Sequence, residues 1–151
     1  MYDKTITVFN RYVDSFGDIT WYPTVLHGVN LLVDKAAIVA KYGAESQDKA
    51  VLNVRFENVN GNIVIDGKPY LPPKAWENQT NDLLPSTITF TDGKDFDFFI
   101  LGDYGSTEPI LDSDYRNGFY NEINRERDYV FAISSVGGPY SVIPHFEIMG
   151  A

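Results

Sequence analysis

Residues 5–12 run Thr-Ile-Thr-Val-Phe-Asn-Arg-Tyr. This alternating stretch, rich in β-branched and aromatic side chains, predicts a strand with Ile6 and Val8 on one face. Ser15-Phe16-Gly17-Asp18 supplies turn chemistry before a second run over residues 19–26, so the two runs predict a hairpin. Pro23 has no N–H to give to a ladder, which places the second run at a sheet edge or a bulge. His27-Gly28 reads as a break, followed by a third strand over residues 29–33. Residues 34–43 mix Ala and Lys with Ile38, Val39 and Tyr42 and read as extended or irregular. Ser46-Gln47-Asp48 leads into residues 50–56, where Leu52, Val54 and Phe56 alternate as a strand, and residues 63–65 form a short strand ended by Asp66-Gly67.

Prolines at 69, 72 and 73 disfavour both helix and central strand until Ala75, so residues 68–77 predict a rigid connector pinned by Tyr70 and Trp76. Residues 87–91 alternate as a strand, Asp92-Gly93 turns, and residues 95–101 make the most apolar strand of the chain. A polar excursion over residues 102–117 carries Gly, Pro, Ser and Asp throughout and predicts a long loop. Residues 119–126 predict a short helix with Asn121, Glu122 and residues 124–126 as its wet face. A strand over residues 129–136, a turn at Gly137-Gly138-Pro139 and a last strand over residues 145–149 complete the chain. About eight short strands with at most one or two short helices predict a mainly all-β fold, a small barrel or sandwich with long loops.

Length and composition narrow this picture. The 151 residues suit one domain, residues 1–151, and 44% apolar with 15% aromatic residues supply a core. No run approaches the roughly 18 to 20 apolar residues of a membrane span, and the start carries no signal-peptide block, so a soluble cytoplasmic product is expected. The absence of Cys removes disulfides, thiolate metal sites and a Cys nucleophile, leaving His27 and His145 as the imidazoles. Charge is divided unevenly. Residues 1–75 hold eight acids and eight bases, and the remainder holds thirteen acids against Lys94, Arg116, Arg125 and Arg127, so the net charge of -9 lies wholly in the second half. Clustered cations for phosphate neutralisation are missing, so sequence-specific nucleic-acid binding is not expected.

Candidate chemistry is sparse. Asp92-Gly93-Lys94-Asp95-Phe96-Asp97 gathers three carboxylates but lacks the spacing of an EF-hand loop, and reads as a turn with solvated acids. Asp103, Glu108, Asp112 and Asp114 are candidates for a carboxylate pair of the kind glycoside hydrolysis needs, weighed against a plain acidic loop. No serine sits in a Gly-x-Ser-x-Gly elbow, and neither Gly102-Asp103-Tyr104-Gly105-Ser106 nor Gly137-Gly138-Pro139 ends as a phosphate-binding loop does. Trp21-Tyr22 and Phe119-Tyr120 are candidate stacking platforms for a sugar or base, weighed against core packing. No catalytic residue, cofactor site or metal site is assigned.

Three segments carry a resemblance: residues 4–12, residues 21–29 (Trp-Tyr-Pro-Thr-Val-Leu-His-Gly-Val), and Ser135-Val136-Gly137-Gly138-Pro139-Tyr140 through Ile143-Pro144-His145-Phe146-Glu147-Ile148. Together with residues 67–76 and Asp112-Ser113-Asp114-Tyr115, they resemble a family of small structural proteins encoded in the head and tail-connector gene cluster of tailed phages and prophages of Gram-positive bacteria. The resemblance spans nearly the whole chain, and its motifs are specific as a set and weak singly. It implies a virion protein of the neck without enzymatic residues, similar to the head-closure or stopper proteins, which are small β-barrels that assemble as rings below the portal and adaptor. The partners it implies are copies of the chain itself, the adaptor or portal, and tail-terminator or tail proteins. It implies location in the virion neck, and in the host cytoplasm during assembly. The contact residues expected on this reading are Asp103, Glu108, Asp112, Asp114, Tyr115, Arg116, Phe119, Tyr120, Arg125 and Arg127. The acidic loop would face a DNA channel or a basic patch on a neighbour, with the arginines pairing carboxylates of an adjacent subunit. The alternatives are a small carbohydrate- or protein-binding β module, and a hydrolase using acids of the second half.

Overall fold

In the computed structural model, which describes residues 1–34 and 50–151, the first alternating run forms strand β1 (Lys4–Val13) and pairs antiparallel with β2 (Ile19–Val33). The remaining strands are β3 (Ala50–Arg55), β4 (Glu57–Val59), β5 (Asn62–Ile65), β6 (Lys68–Pro69), β7 (Phe98–Leu101), β8 (Ile110–Leu111), β9 (Val130–Tyr140) and β10 (His145–Gly150). Two short helices are described, α1 (Pro73–Glu77) and α2 (Phe119–Glu126), and neither is long and apolar enough to cross a membrane. Neighbours follow the order β1-β7-β9-β10-β3-β2, and the β1–β2 pairing closes the circle. The expected all-β barrel is therefore the fold, with six antiparallel strands around one core and β8 on the flank of β2 that faces away from β1. Closure pairs the six strands with one another and, among the described residues, leaves open edges at β8, at β4 and along the middle of β2.

Two apolar layers share the barrel wall. Ile6, Val8, Leu26, Leu52, Val54, Phe99, Phe131, Phe146 and Ile148 fill the interior, while Phe9, Trp21, Phe98, Ile100 and Val130 face outwards beneath Phe119 and Ile123 of α2. Side chains alternate across a strand, so a wall covered on both faces must be apolar at consecutive positions. That is why β7 reads Phe-Phe-Ile-Leu. Each large side chain so buried contributes roughly 1.5–3 kcal/mol. Gly150 leaves the space that Phe99 and Phe131 occupy: a Cβ there would lie 2.7 Å from Phe131 Cβ.

The β1–β2 and β9–β10 hairpins turn at the same end of the barrel, and the segment from β6 to residue 97 closes that end. Trp76 of α1 packs there with Tyr22 and Leu84, while Ile88 and Phe90 reach into the main core. The hairpin of β4 and β5 continues into β6 as a small separate sheet, whose Ile65 also enters the core.

Several expectations change. The break at His27-Gly28 is a bulge inside one 15-residue strand: Gly28 takes φ +67 and the β1–β2 register shifts between Lys4 and Thr5, which turns the strand from β1 towards β3 without ending it. Pro23 lies where that strand has no described partner on its second flank. The His27 N–H, four residues on, points away from β1 to Asp66, so by the alternation of main-chain groups the nitrogen of Pro23 does too and no ladder bond is lost. Gly137-Gly138-Pro139 is no turn but part of β9, and the chain reverses after Tyr140. Residues 87–91 form no strand, only a bridge between Ile88 and Tyr70. Asp95 and Phe96 precede β7 rather than beginning it, and α1 starts at Pro73, a position where the missing N–H costs nothing. The 34–43 stretch beyond Asp34 and the Ser46-Gln47-Asp48 signal lie outside the described residues.

Candidate functional site

The polar excursion after β7 is fastened to the barrel at three levels. Thr7, on the outer side of β1, donates its hydroxyl to the Gly102 carbonyl (2.8 Å) and accepts the Tyr104 N–H (3.0 Å). Next, β8 pairs Ile110 with Trp21 and Leu111 with Thr20. Finally, Asp112 Oδ1 accepts both the Trp21 indole N–H (2.9 Å) and the Phe119 main-chain N–H (2.9 Å), tying β2 to the first residue of α2. Gly118, at φ +83, lets the chain turn into the helix past that carboxylate, where a Cβ would stand 3.4 Å from Asp112 Oδ2. Asp112→Ala leaves two N–H donors facing an apolar wall and is expected to cost about 1.5–3 kcal/mol, as loss of hydrogen bonds to a charged group does. Asp112→Asn retains an acceptor and costs less. Urea unfolding followed by tryptophan fluorescence checks this, and an unchanged midpoint for the Ala variant contradicts it.

The expected contact residues therefore separate into two groups. Glu108, Asp114 and Tyr115 converge with Tyr104, Pro109 and Leu111 around an open recess of about 450 Å³ beside β8. Asp103 is exposed and accepts the Gly105 N–H (2.7 Å) in a local turn. Tyr115 packs edge-on against Phe119 with ring centres 5.0 Å apart. Its hydroxyl is held above the ordinary tyrosine range, first by hydrogen bonding with Tyr104 and then by partial burial. Phe119 is buried in the outer apolar layer and does not face a neighbour, and Asp112 is half-buried with Oδ1 taken up by Trp21 and Phe119. Tyr120 is half-buried, its ring 4.9 Å from both Phe96 and Phe98, and burial raises its pKa. The arginines do not reach for these carboxylates. Arg125 lies 3.7 Å from Glu122 on its own helix, Arg127 stands 5.8 Å over the Tyr104 ring, and Arg116 is exposed.

Both tryptophans are internal, as are Tyr22 and Phe119, so Trp21-Tyr22 offers no flat surface to a sugar ring or base. The carboxylates of residues 92–97 also divide. Asp92 and Asp95 are exposed, Asp95 pairing Arg11 at 3.2 Å, but Asp97 is wholly buried, contrary to the reading of solvated acids. Its oxygens accept the Arg11 N–H (2.7 Å), the Asn10 side-chain amide (2.9 Å) and the Thr91 N–H (2.9 Å). Burial pushes the Asp97 carboxyl up to about 7 against the pull of these donors. Among the described residues, no three His, Asp or Glu side chains are grouped as metal ligands.

A second concavity, about 340 Å³, opens where β2 and β3 part beyond Gly28, and Arg55, His27 and Asp66 line it. Asp66 Oδ2 accepts the His27 N–H (2.9 Å) and lies 3.0 Å from its Nδ1, while Lys68 Nζ donates to Thr24 Oγ1 at 2.7 Å. These bonds pin the β5–β6 turn to β2, and burial lowers the Lys68 pKa. The Asp66-Gly67 turn was readable from the sequence, but its contact with His27, 39 positions away, left no local signal.

No curated protein and no solved structure matches the chain. A family model matches residues 1–151, and the chain belongs to that family, described as a family of unknown function, DUF6751.

Proposed function

We propose that the protein is a structural component of the neck of a tailed phage, of the head-closure or stopper kind, working as a ring between the portal or adaptor and the tail and catalysing no reaction. The observation that carries this reading is the rigidity of the acidic face. The excursion after β7 is bonded to β1, β2 and α2, so Glu108, Asp114 and Tyr115 are held as a preformed contact surface. Preorganised contacts bind without first ordering a loop. The motif resemblance and the closed barrel support the same reading, because the circle of six strands leaves the loops and hairpin tips as its main projecting surfaces. The exposed carboxylates of Asp103, Glu108 and Asp114 suit a surface along which DNA slides without sticking. A carbohydrate-binding role has less support, since the tryptophans are buried.

The test is to locate the chain by electron microscopy in particles of the phage that encodes it, and to neutralise Asp103, Glu108 and Asp114 together as Asn, Gln and Asn. These exposed substitutions are expected to change stability by no more than about 0.5 kcal/mol, yet to lower the number of tailed, DNA-filled particles. A chain absent from the neck, or infectious particles formed without it, would overturn the proposal.

A further inference from the structure

Residues 71–96, the cap over one end of the barrel, are held there by apolar packing and by a single polar junction. Among the described residues, the hydrogen bonds that leave the cap for the barrel all end on Asn10, Arg11 or Asp97. The Asn10 amide donates to the Thr89 carbonyl (2.7 Å), the Thr91 N–H to Asp97 Oδ2 (2.9 Å), and the Asp97 N–H to the Thr91 carbonyl (2.8 Å). Asp97 is the hub, since Oδ1 takes the Arg11 N–H of β1 (2.7 Å) and its carbonyl takes the Ile133 N–H of β9 (2.9 Å). One carboxyl thus ties the cap to β1 at the root of β7.

The junction is buried and incompletely satisfied. Asn10 Oδ1 and Thr89 Oγ1, on residues no more than 1% exposed, have no hydrogen-bond partner. No cation lies within ion-pair distance of Asp97 among the described residues. From β1 come Tyr12 and Arg11, whose guanidinium turns to Asp95; from the turn before β7, exposed Asp92, Lys94 and Asp95; from α1, exposed Glu77. The adjoining part of β9, Ala132 and Ile133, brings no titratable group. An anion at Asp97 is therefore buried without a counter-charge, and two polar atoms beside it gain partners if water enters. The way in is short, because a recess of about 400 Å³ reaches Thr91, Trp76 and Asp95 from outside.

We propose that ionisation of Asp97 unlatches the cap: the carboxylate turns to water, and residues 71–96 lift from β1 while the six-strand circle stays paired. The circle survives because its ladders use none of the cap's main-chain groups. The device lies outside the neck reading and does not depend on it. Burial holds the closed carboxyl up to about 7, whereas the hydrated group of the opened state titrates at its ordinary 3.8. Between those values opening releases a proton to water, so the opening constant rises about tenfold per pH unit, and it levels off above about pH 7. The cap is latched in acid and loosened at neutral pH.

Hydrogen exchange of the full chain between about pH 5 and 7, with each amide rate divided by its intrinsic rate, tests this. The Leu71, Ile88 and Thr91 N–H groups are expected to lose about tenfold in protection per unit, while amides of β7 and β9 stay more protected at every pH. Asp97→Asn should hold the protection of the three constant over that range, and Asp95→Asn, at an exposed carboxyl, should keep the wild-type slope. If Asp97→Asn does not fold, the carbon-13 shift of the Asp97 carboxyl in the wild-type chain decides. A midpoint at about 7 is expected, and one at about 4 overturns the inference. Equal protection of cap and barrel amides overturns it too, because the cap then opens only when the whole chain unfolds. So does protection that does not change with pH.

Discussion

Replacing Asp97 by Ala is expected to remove about 3–5 kcal/mol of stability, a large part of the 5–15 kcal/mol typical of a domain. The loss comes from stranded donors. The main-chain N–H groups of Arg11 and Thr91 lose their acceptor in the barrel end, and the Asn10 amide retains only the Thr89 carbonyl at 2.7 Å. Each buried donor left unpaired costs about 1–3 kcal/mol. Titration gives a second signature. The folded carboxyl, at about 7, lies above its ordinary value of 3.8, so between those values the native state keeps a proton that the unfolded chain has released. The stability this group contributes is complete below about pH 4 and is lost as pH rises through about 7, at about 1.4 kcal/mol per unit. The charged groups near it do not offset this, because the Arg11 guanidinium turns to exposed Asp95. Asp97→Asn, which cannot titrate, should therefore lose less stability than the wild type between pH 5 and 7. Urea midpoints measured in parallel across that range decide it; curves of equal slope would remove Asp97 as the source.

Why the sequence suggested a solvated acid here is a matter of distance along the chain. Asp97 follows Asp92, Gly93 and Asp95, all exposed, whereas the donors that bury it come chiefly from Asn10 and Arg11, 87 and 86 positions away. Local pattern carries no trace of that meeting. Residues 87–91 show the same limit from the other side. They alternate as a strand does, but the neighbouring β6 is too short to form a ladder with them beyond one bridge, and their main-chain groups bond to Pro69, Leu71, Asn10 and Asp97. The β1–β2 hairpin was legible because alternation and turn residues agree over a short span, and α2 because Asn121, Glu122 and residues 124–126 make a wet face. Glycine was ambiguous by nature. At Gly28 and in Gly137-Gly138-Pro139 the permissive backbone that suggests a turn serves strands that continue, and the ladder to a distant strand decides between the two. The acidic face was legible in composition but not in role. Asp112 and Asp114 look alike in sequence, yet the first holds Trp21 and α2 while the second lines an open recess, a difference set by a tryptophan 91 positions away.

Trp76→Ala is expected to cost about 3–5 kcal/mol and to open the closed end of the barrel. Trp76 is 2% exposed, its ring packs edge-on against Tyr12 at 6.2 Å and Tyr22 at 5.9 Å, and Leu84 completes the cluster. It is the one fully buried side chain of the five-residue α1, which is too short to hold itself together without tertiary packing. Truncation therefore removes the anchor of the whole β6-to-97 segment, and with it the cover over Ile88 and Phe90. The indole N–H is buried without a partner, so the ring is retained for its area and not for its polarity. This separates two variants. Trp76→Phe keeps an aromatic wedge and discards the unpaired donor, and should cost less than half of what Trp76→Ala does. Limited proteolysis adds a spatial readout: Trp76→Ala should expose new cleavage sites between residues 70 and 90 while β1 and β9 stay protected. Equal cost for the Phe and Ala variants would mean that the indole nitrogen, and not the ring face, holds the cap. Unchanged proteolysis in Trp76→Ala would mean that the barrel end is closed by Ile88 and Phe90 alone.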